Sequence, residues 1–275
     1  MQTNLGVMQG RLLPKYKDQY QAHPFGYWQD EFPLARQLQL NCIEFIFDFE
    51  NYDLNPLMTE KGRSEIIDLS RENSINVKSI CADYFMKSTL HSTDEKSVQK
   101  NIEILQRLIK ASSLLNVTDI VIPCVEGSSI DNNDDLQRFV NAISGVISNA
   151  EQNNVNLSLE TDLEPSKFGK LLKMLNSEKV KVNYDIGNSA SLGYDPIEEF
   201  SVYGHAISDV HIKDRVRGGG SVMLGSGDAD IEKCFNLLEE YNFNGPLIMQ
   251  AYRDEEGVEV FKKQLNWLRK LHNLR

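Results

Sequence analysis

Four polar residues stand at corresponding places in four successive segments of this chain, and together they read as ligands for a hard cation. Glu160 lies at the end of VNLSLET, Asp185 near the end of VKVNYDI, His211 within ISDVHIK and Gln250 within PLIMQAY. Each run is short, apolar and rich in Val, Ile or Leu, as a strand buried on both faces should be. On neighbouring strands of a closed sheet, residues at matching heights converge on one axis. One imidazole, two carboxylates and an amide oxygen suit a single Mn²⁺, Mg²⁺, Co²⁺ or Zn²⁺, with water or substrate in the remaining positions. Taken singly, each residue reads more readily as a cap or turn residue than as a ligand. Their common register favours the metal, because an interior ring of carboxylates without a cation is costly to desolvate.

The segments that carry these residues belong to a regular alternation. Strands are expected over Leu5 to Gln9, Cys42 to Phe47, Val77 to Asp83, Asp119 to Val125, Val155 to Thr161, Val180 to Ile186, Ile207 to Lys213 and Pro246 to Tyr252. Between them lie amphipathic stretches. Leu136, Phe139, Val140, Ile143, Val146, Ile147 and Ala150 repeat at three- and four-residue spacing, as do Val98, Ile102, Leu105 and Ile109. Further helices are expected over Trp28 to Leu40, Ser64 to Glu72, Pro165 to Leu175, Pro196 to Tyr203, Ile231 to Tyr241 and Val258 to Leu271. No linker or low-complexity segment interrupts the pattern, so residues 1–275 read as one α/β domain, a (β/α)₈ TIM barrel. A doubly wound open sheet would usually place a glycine-rich turn after its first strand, and here Gly10-Arg11-Leu12-Leu13-Pro14 follows instead. In a barrel, catalytic groups belong at the C-terminal strand ends and in the loops beyond them.

Composition narrows the function classes. A hydrophobic fraction of 41% and a charged fraction of 25% are those of a soluble globular protein. The net charge of -11 argues against a nucleic-acid partner, although local cations could still hold a small anion. Cys42, Cys81, Cys124 and Cys234 form no C-x-x-C pair and read as buried small hydrophobes. The polar start MQTNLGVMQGRLLPKYKD is unlike a signal peptide, and no apolar run reaches the ~20 residues of a membrane span. A cytoplasmic protein without a membrane partner is expected, and the sequence leaves a homo-oligomer open.

The stretches NYDIGN, HIKDR and, beyond a glycine-rich loop, LGSGDAD resemble the xylose isomerase-like TIM barrel superfamily. Within it, the chain is most similar to the pentulose- and hexulose-phosphate 3-epimerase branch. That resemblance covers essentially the whole chain and implies a small sugar or sugar phosphate as substrate. It also implies a metal held by acids on strands five, six and eight and a histidine on strand seven. These map to Glu160, Asp185, His211 and position 250, where Gln250 departs from the branch's acid. An amide coordinates through its oxygen but brings no charge and cannot abstract a proton. The resembled epimerases use two acidic ligands on opposite substrate faces, and here one is absent. Proton transfer beside a metal-polarised carbonyl, with Glu160 as base and the metal stabilising an enediolate, therefore favours one-base isomerisation over two-base epimerisation. Glu44, Asp83 and Glu126, near the ends of strands two, three and four, are candidate replacement acids. A substrate hydroxyl contact or a structural role is the leading reading for each.

Around this centre, Lys213, Arg215 and Arg217 precede Gly218-Gly219-Gly220-Ser221, a cationic and mobile loop suited to an anionic substrate group. An exposed flexible loop is the plainer alternative. Arg253 is a second candidate cation; Lys213 and Arg253 are also placed to pair with Asp214 and Asp254. By resemblance, Asn188 is a polar substrate contact. Phe25, Tyr27 and Trp28 could form an apolar wall of the cleft, but core packing for the following helix is the leading reading, and a lone histidine such as His23 or His91 reads as structural. Three other functions fit less well: a polyol or keto-acid dehydratase, a metal-dependent phosphodiesterase, and a non-catalytic sugar-binding barrel lacking the second base at Gln250.

Overall fold

The computed structural model describes residues 4–255 and 257–272. Its centre is a closed barrel of eight parallel strands: β1 (Asn4–Met8), β2 (Cys42–Ile46), β3 (Asn76–Cys81), β4 (Asp119–Cys124), β5 (Asn156–Thr161), β6 (Val180–Asp185), β7 (Ile207–Ile212) and β8 (Pro246–Met249). Each strand pairs with its sequence neighbours, and β8 closes the ring on β1. This is the (β/α)₈ TIM barrel expected from the alternation. Several strands stop short of the expected ranges, so Gln250 stands just beyond β8 and Asp83 just beyond β3.

The outer helices bury the faces that their spacing marks. In Asn133–Asn153, Phe139, Val140, Ile143, Val146 and Ala150 are buried against the barrel wall. The Asn132 side chain accepts from the amides of Asp134 and Asp135 at its start, and Asn154, left-handed at φ 53°, ends it. The short helix Pro196–Tyr203 forms as expected, with Asp195 as its cap and Pro196 in its first turn. The stretch expected as one helix over Trp28 to Leu40 is instead a 3₁₀ turn (Trp28–Asp30) leading into Glu31–Gln37. No helix among the described residues is long and apolar enough to cross a membrane.

The barrel interior has two characters. Met8, Cys42, Ile46, Cys81, Val121 and Ile248 form an apolar plug. Beside it lie buried polar side chains, among them Glu44, Ser79, Asp119, Ser158, Asp209 and His211. All four cysteines are buried and free, as their spacing suggested.

Candidate metal centre and cleft

Asp185 is the last residue of β6 and the cap of a short helix, Ile186–Leu192, that follows without a loop. Its Oδ1 accepts from the Asn188 amide at 2.8 Å, which leaves Oδ2 for the barrel mouth. His211 lies directly opposite Asp185 in the β6–β7 ladder. That ladder shifts register between Val182 and Asn183, and the β2–β3 ladder shifts between Ile43 and Glu44. Both shifts fall at residues that touch His211, consistent with irregular ladders re-aiming side chains at a site. Asn183 Nδ2 is 3.1 Å from His211 Nδ1, and Glu44 Oε1 is 2.7 Å from Nε2. Glu44 is held in turn by the Ser79 hydroxyl at 2.5 Å.

With Nε2 engaged by Glu44, Nδ1 faces Glu160 Oε2 and Asp185 Oδ2, each at 3.7 Å. A carboxylate behind one ring nitrogen is the usual way to orient the other toward a cation. One ligand atom from each of Glu160, Asp185 and His211 lies within 4.8 Å of the others. This donor set fits a divalent ion. Glu160 also accepts from Asn188 Nδ2 at 2.7 Å and Asn183 Nδ2 at 3.3 Å.

Gln250 does not face this trio alone. Its Oε1 accepts from Lys213 Nζ at 2.8 Å, and the same ammonium is 2.6 Å from Asp185 Oδ2. Lys213 thus bridges the carboxylate and the amide. Its stem packs over Gly187, where an added Cβ would stand 2.9 Å from Lys213 Cγ and 3.0 Å from its carbonyl carbon.

The electrostatics follow from burial and these contacts. Burial, reinforced by the Asp185 charge, pushes the Glu160 carboxyl up to about 7. Burial acts the same way on Asp185, but Lys213 and His211 outweigh it and hold that carboxyl below its ordinary range. His211 is the converse: burial opposes its charge, yet Glu44, Asp185 and Glu160 raise its pKa well above that of a free imidazole.

Above the trio opens a cleft of about 1130 Å³. Glu160, Asn188, Lys213, Arg215, Ser221 and Gln250 line it, so most of the expected site residues share one space. Arg215 Nη1 donates to Asn188 Oδ1 at 2.7 Å, and its Nε donates to the Gly219 carbonyl. The glycine-rich segment is not an open loop: Asp214–Arg215 pairs antiparallel with Ser221–Val222, so Ser221 is carried on a short ribbon. Asp214 does not pair with Lys213; its carboxylate accepts from the amides of Gly225, Gly227 and Ala229 and pins the LGSGDAD segment.

Arg253 is a correction. It is 3% exposed, is absent from the cleft lining, and donates through Nη2 to the Leu13 carbonyl at 2.7 Å, tying the β8 loop to the β1 loop. A guanidinium spent on a buried carbonyl is structural. Arg217 likewise lies against Gly193, away from the cleft. Phe25 lines the cleft, whereas Trp28 is core, packed on Phe32 and Phe45. His23 is buried among these rings, and burial alone lowers its pKa to about 3.

The loops after β1 and β2 supply residues that the sequence reading missed: Arg11, Gln21 and Asp48. Arg11 is buried and donates to the Ala251 and Tyr20 carbonyls and to Gln21 Oε1. No periodicity marks such loop residues; an arginine directly after an apolar strand was the one available signal.

With the barrel and its mouth described, the class is clear: a family model of xylose isomerase-like TIM barrels matches residues 32–271, and the chain belongs to that family. Among curated relatives, L-ribulose-5-phosphate 3-epimerase UlaE of Shigella flexneri is 24% identical over 258 residues, 88% of this chain and 89% of its own length. Among solved structures, 3-keto-D-glucoside 4-epimerase YcjR of E. coli superposes with a TM-score of 0.76 at 15% identity, covering 98% of this chain and 99% of its own. The IolI protein with a bound zinc atom superposes with a TM-score of 0.77 at 15% identity, with 98% of each chain covered.

Proposed function

We propose that this chain is a divalent-metal-dependent isomerase or epimerase of a small sugar or sugar phosphate, with Glu160 as the base. The observation that carries the proposal is the convergence of Glu160, Asp185 and His211 beside a cleft that Glu160, alone of the three, lines. Glu160, Asp185 and His211 would hold the cation, and Gln250 would join through its amide oxygen once Lys213 releases it. When bound, the cation supplies the polarisation of a substrate carbonyl and charge to offset an enediolate. Asn183 and Asn188 orient the Glu160 carboxylate, leaving it beside the cleft to take a proton from the carbon next to that carbonyl. Arg215 and Ser221 stand where a substrate oxyanion or hydroxyl would be met. The relative named as acting on L-ribulose 5-phosphate supports a ketose phosphate as the first substrate to try.

The test is solvent exchange. Protein reconstituted with Mn²⁺ is incubated with L-ribulose 5-phosphate and other ketoses in D₂O and followed by NMR. Deuterium should enter at a carbon next to the carbonyl, stop on chelation, and slow by about 10²–10⁴ in Glu160→Gln. Turnover without exchange rejects proton transfer, and failure to bind metal rejects the site.

A further inference from the structure

Position 250 carries an amide, so a second acid for this chemistry has to enter the cleft elsewhere. The hydrogen bonds around Gln250 point to where. Its Oε1 accepts from Lys213 Nζ at 2.8 Å, so its Nε2 is turned the other way and donates to Gln21 Oε1 at 3.0 Å. Gln21 Nε2 then donates to Asp83 Oδ2 at 2.8 Å, while Arg11 Nη2 donates to Gln21 Oε1 at 2.9 Å. Two amides in series, started by an ammonium, must end on an acceptor, and that acceptor is the Asp83 carboxyl. The acid missing from position 250 is thus found one glutamine further along the cleft wall.

We infer that Asp83 is a second catalytic acid of this site, returning a proton to the carbon from which Glu160 removes one; the inference rests on the proton-transfer reading above. Asp83 follows β3, opens the short helix Tyr84–Lys87 without capping it, and lines the same cleft as Glu160. Among the described residues its Oδ1 meets only the Cys81 thiol, a weak donor at 3.2 Å. The other acids of the cleft and its surroundings are less well placed. Glu50 lines the cleft but is exposed. Glu44 is buried under His211 and absent from the cleft lining. Glu126 lies at the rim beside Arg215. Asp48 lines the cleft but accepts from the His23 amide at 2.6 Å and has no link to position 250. Burial raises the Asp83 pKa against the pull of its Gln21 and Cys81 hydrogen bonds.

The step balances without a co-reactant. The C–H bond beside the carbonyl breaks, its proton goes to the Glu160 carboxylate, and its electron pair forms the enediolate. A new C–H bond to the same carbon takes the Asp83 proton from the other face. Glu160 is left protonated and Asp83 ionised, and exchange with water in the cleft resets both. The outcome is inversion, so the reaction is epimerisation rather than one-base isomerisation.

Asp83→Asn tests this, because the amide oxygen still accepts from Gln21 and the Gln21–Gln250 chain is kept. Wild type and Asp83→Asn are reconstituted with Mn²⁺, whose affinity is measured by calorimetry, and given L-ribulose 5-phosphate and D-allulose in D₂O. Asp83→Asn should bind Mn²⁺ normally and retain exchange within several-fold, yet lose inversion by about 100-fold or more. Inversion at the wild-type rate in Asp83→Asn overturns the inference, as does joint loss of exchange and inversion with Mn²⁺ affinity intact, which would make Asp83 a substrate-positioning group. Wild type showing neither exchange nor inversion sinks the proton-transfer reading itself, and the inference with it.

Discussion

Replacing Lys213 with methionine should make the metal-free protein less stable and its metal affinity higher. The Lys213 ammonium stands 2.6 Å from Asp185 Oδ2, with side chains only 10% and 2% exposed. At an effective dielectric of ~20, that separation corresponds to a direct attraction of about 6 kcal/mol. Desolvation offsets part of it, and truncating one partner of a buried pair costs about 3–5 kcal/mol in practice. Methionine keeps the stem that packs over Gly187 and removes only the charge. The metal-free variant should therefore melt on the order of 10 °C lower. A divalent cation then meets two uncompensated carboxylates and no competing ammonium, so Mn²⁺ should bind at least ~10-fold more tightly, a gain of about 1.4 kcal/mol. The added stabilisation should raise the variant's melting temperature by more than it raises that of wild type. Scanning fluorimetry with and without Mn²⁺, paired with calorimetry, reads both quantities. An unchanged metal-free melting temperature together with an equal metal-induced shift would refute the reasoning.

Two further substitutions test the loop after β1. Glu31 is buried, and its carboxylate accepts from the Gly10 amide at 2.6 Å and the Leu12 amide at 3.0 Å. Burial raises its pKa from 4.5 to about 7, so the folded state binds the proton more tightly than the unfolded chain. That contribution to stability is complete below pH ~4.5 and lost as pH rises to ~7, by about 3 kcal/mol in all. Denaturation at both ends of this window should show a smaller pH-dependent loss in Glu31→Gln than in wild type; equal losses would remove Glu31 from the account. Arg253→Met should cost about 1–3 kcal/mol by orphaning the Leu13 carbonyl, with Mn²⁺ affinity and KM unchanged. A tenfold rise in KM at unchanged stability would restore Arg253 as a substrate contact.

The contrast between Arg253 and Asp185 shows what the sequence could and could not convey. Asp185 ends an apolar run, and the period-two geometry of a strand fixes which way such a residue faces. Glu160 and His211 were legible for the same reason, and their meeting needed only the closure of the barrel. Arg253 lies four residues past Met249, the last residue of β8, where no period governs side-chain direction. It turned toward Leu13 rather than the cleft. Gln21 and Asp83 come from different loops, and their contact with each other and with Gln250 spans most of the chain. Nothing local announces such a bond. The sequence also allows Lys213 to pair with Asp214, its neighbour; in the extended chain just past β7 the two side chains instead go to different places, one to Asp185 and one to the amides of Gly225, Gly227 and Ala229.

The pairing of Gln250 with Lys213 also alters the charge logic of the centre. Glu160 and Asp185 bring two negative charges and Lys213 returns one positive charge within the same set of contacts. With a divalent cation added, His211 neutral as its ligand and the Glu44 carboxylate behind it counted, the local sum becomes zero. A glutamate at position 250 would make it negative by one. The amide thus leaves the site one charge more positive than a glutamate would, and an enediolate differs from its ketose by a single negative charge. Differential stabilisation of the charge that develops during reaction, rather than of the neutral substrate, is what accelerates a chemical step. In the proposed reaction, an amide in place of a carboxylate at position 250 would remove a base and, through the same two side chains, strengthen the field acting on the anion that Glu160 would create. The proton that ends that anion's life must then come from a group that is itself neutral at that moment, a role suited to a buried carboxyl such as Asp83 and closed to an ionised glutamate bound to the metal.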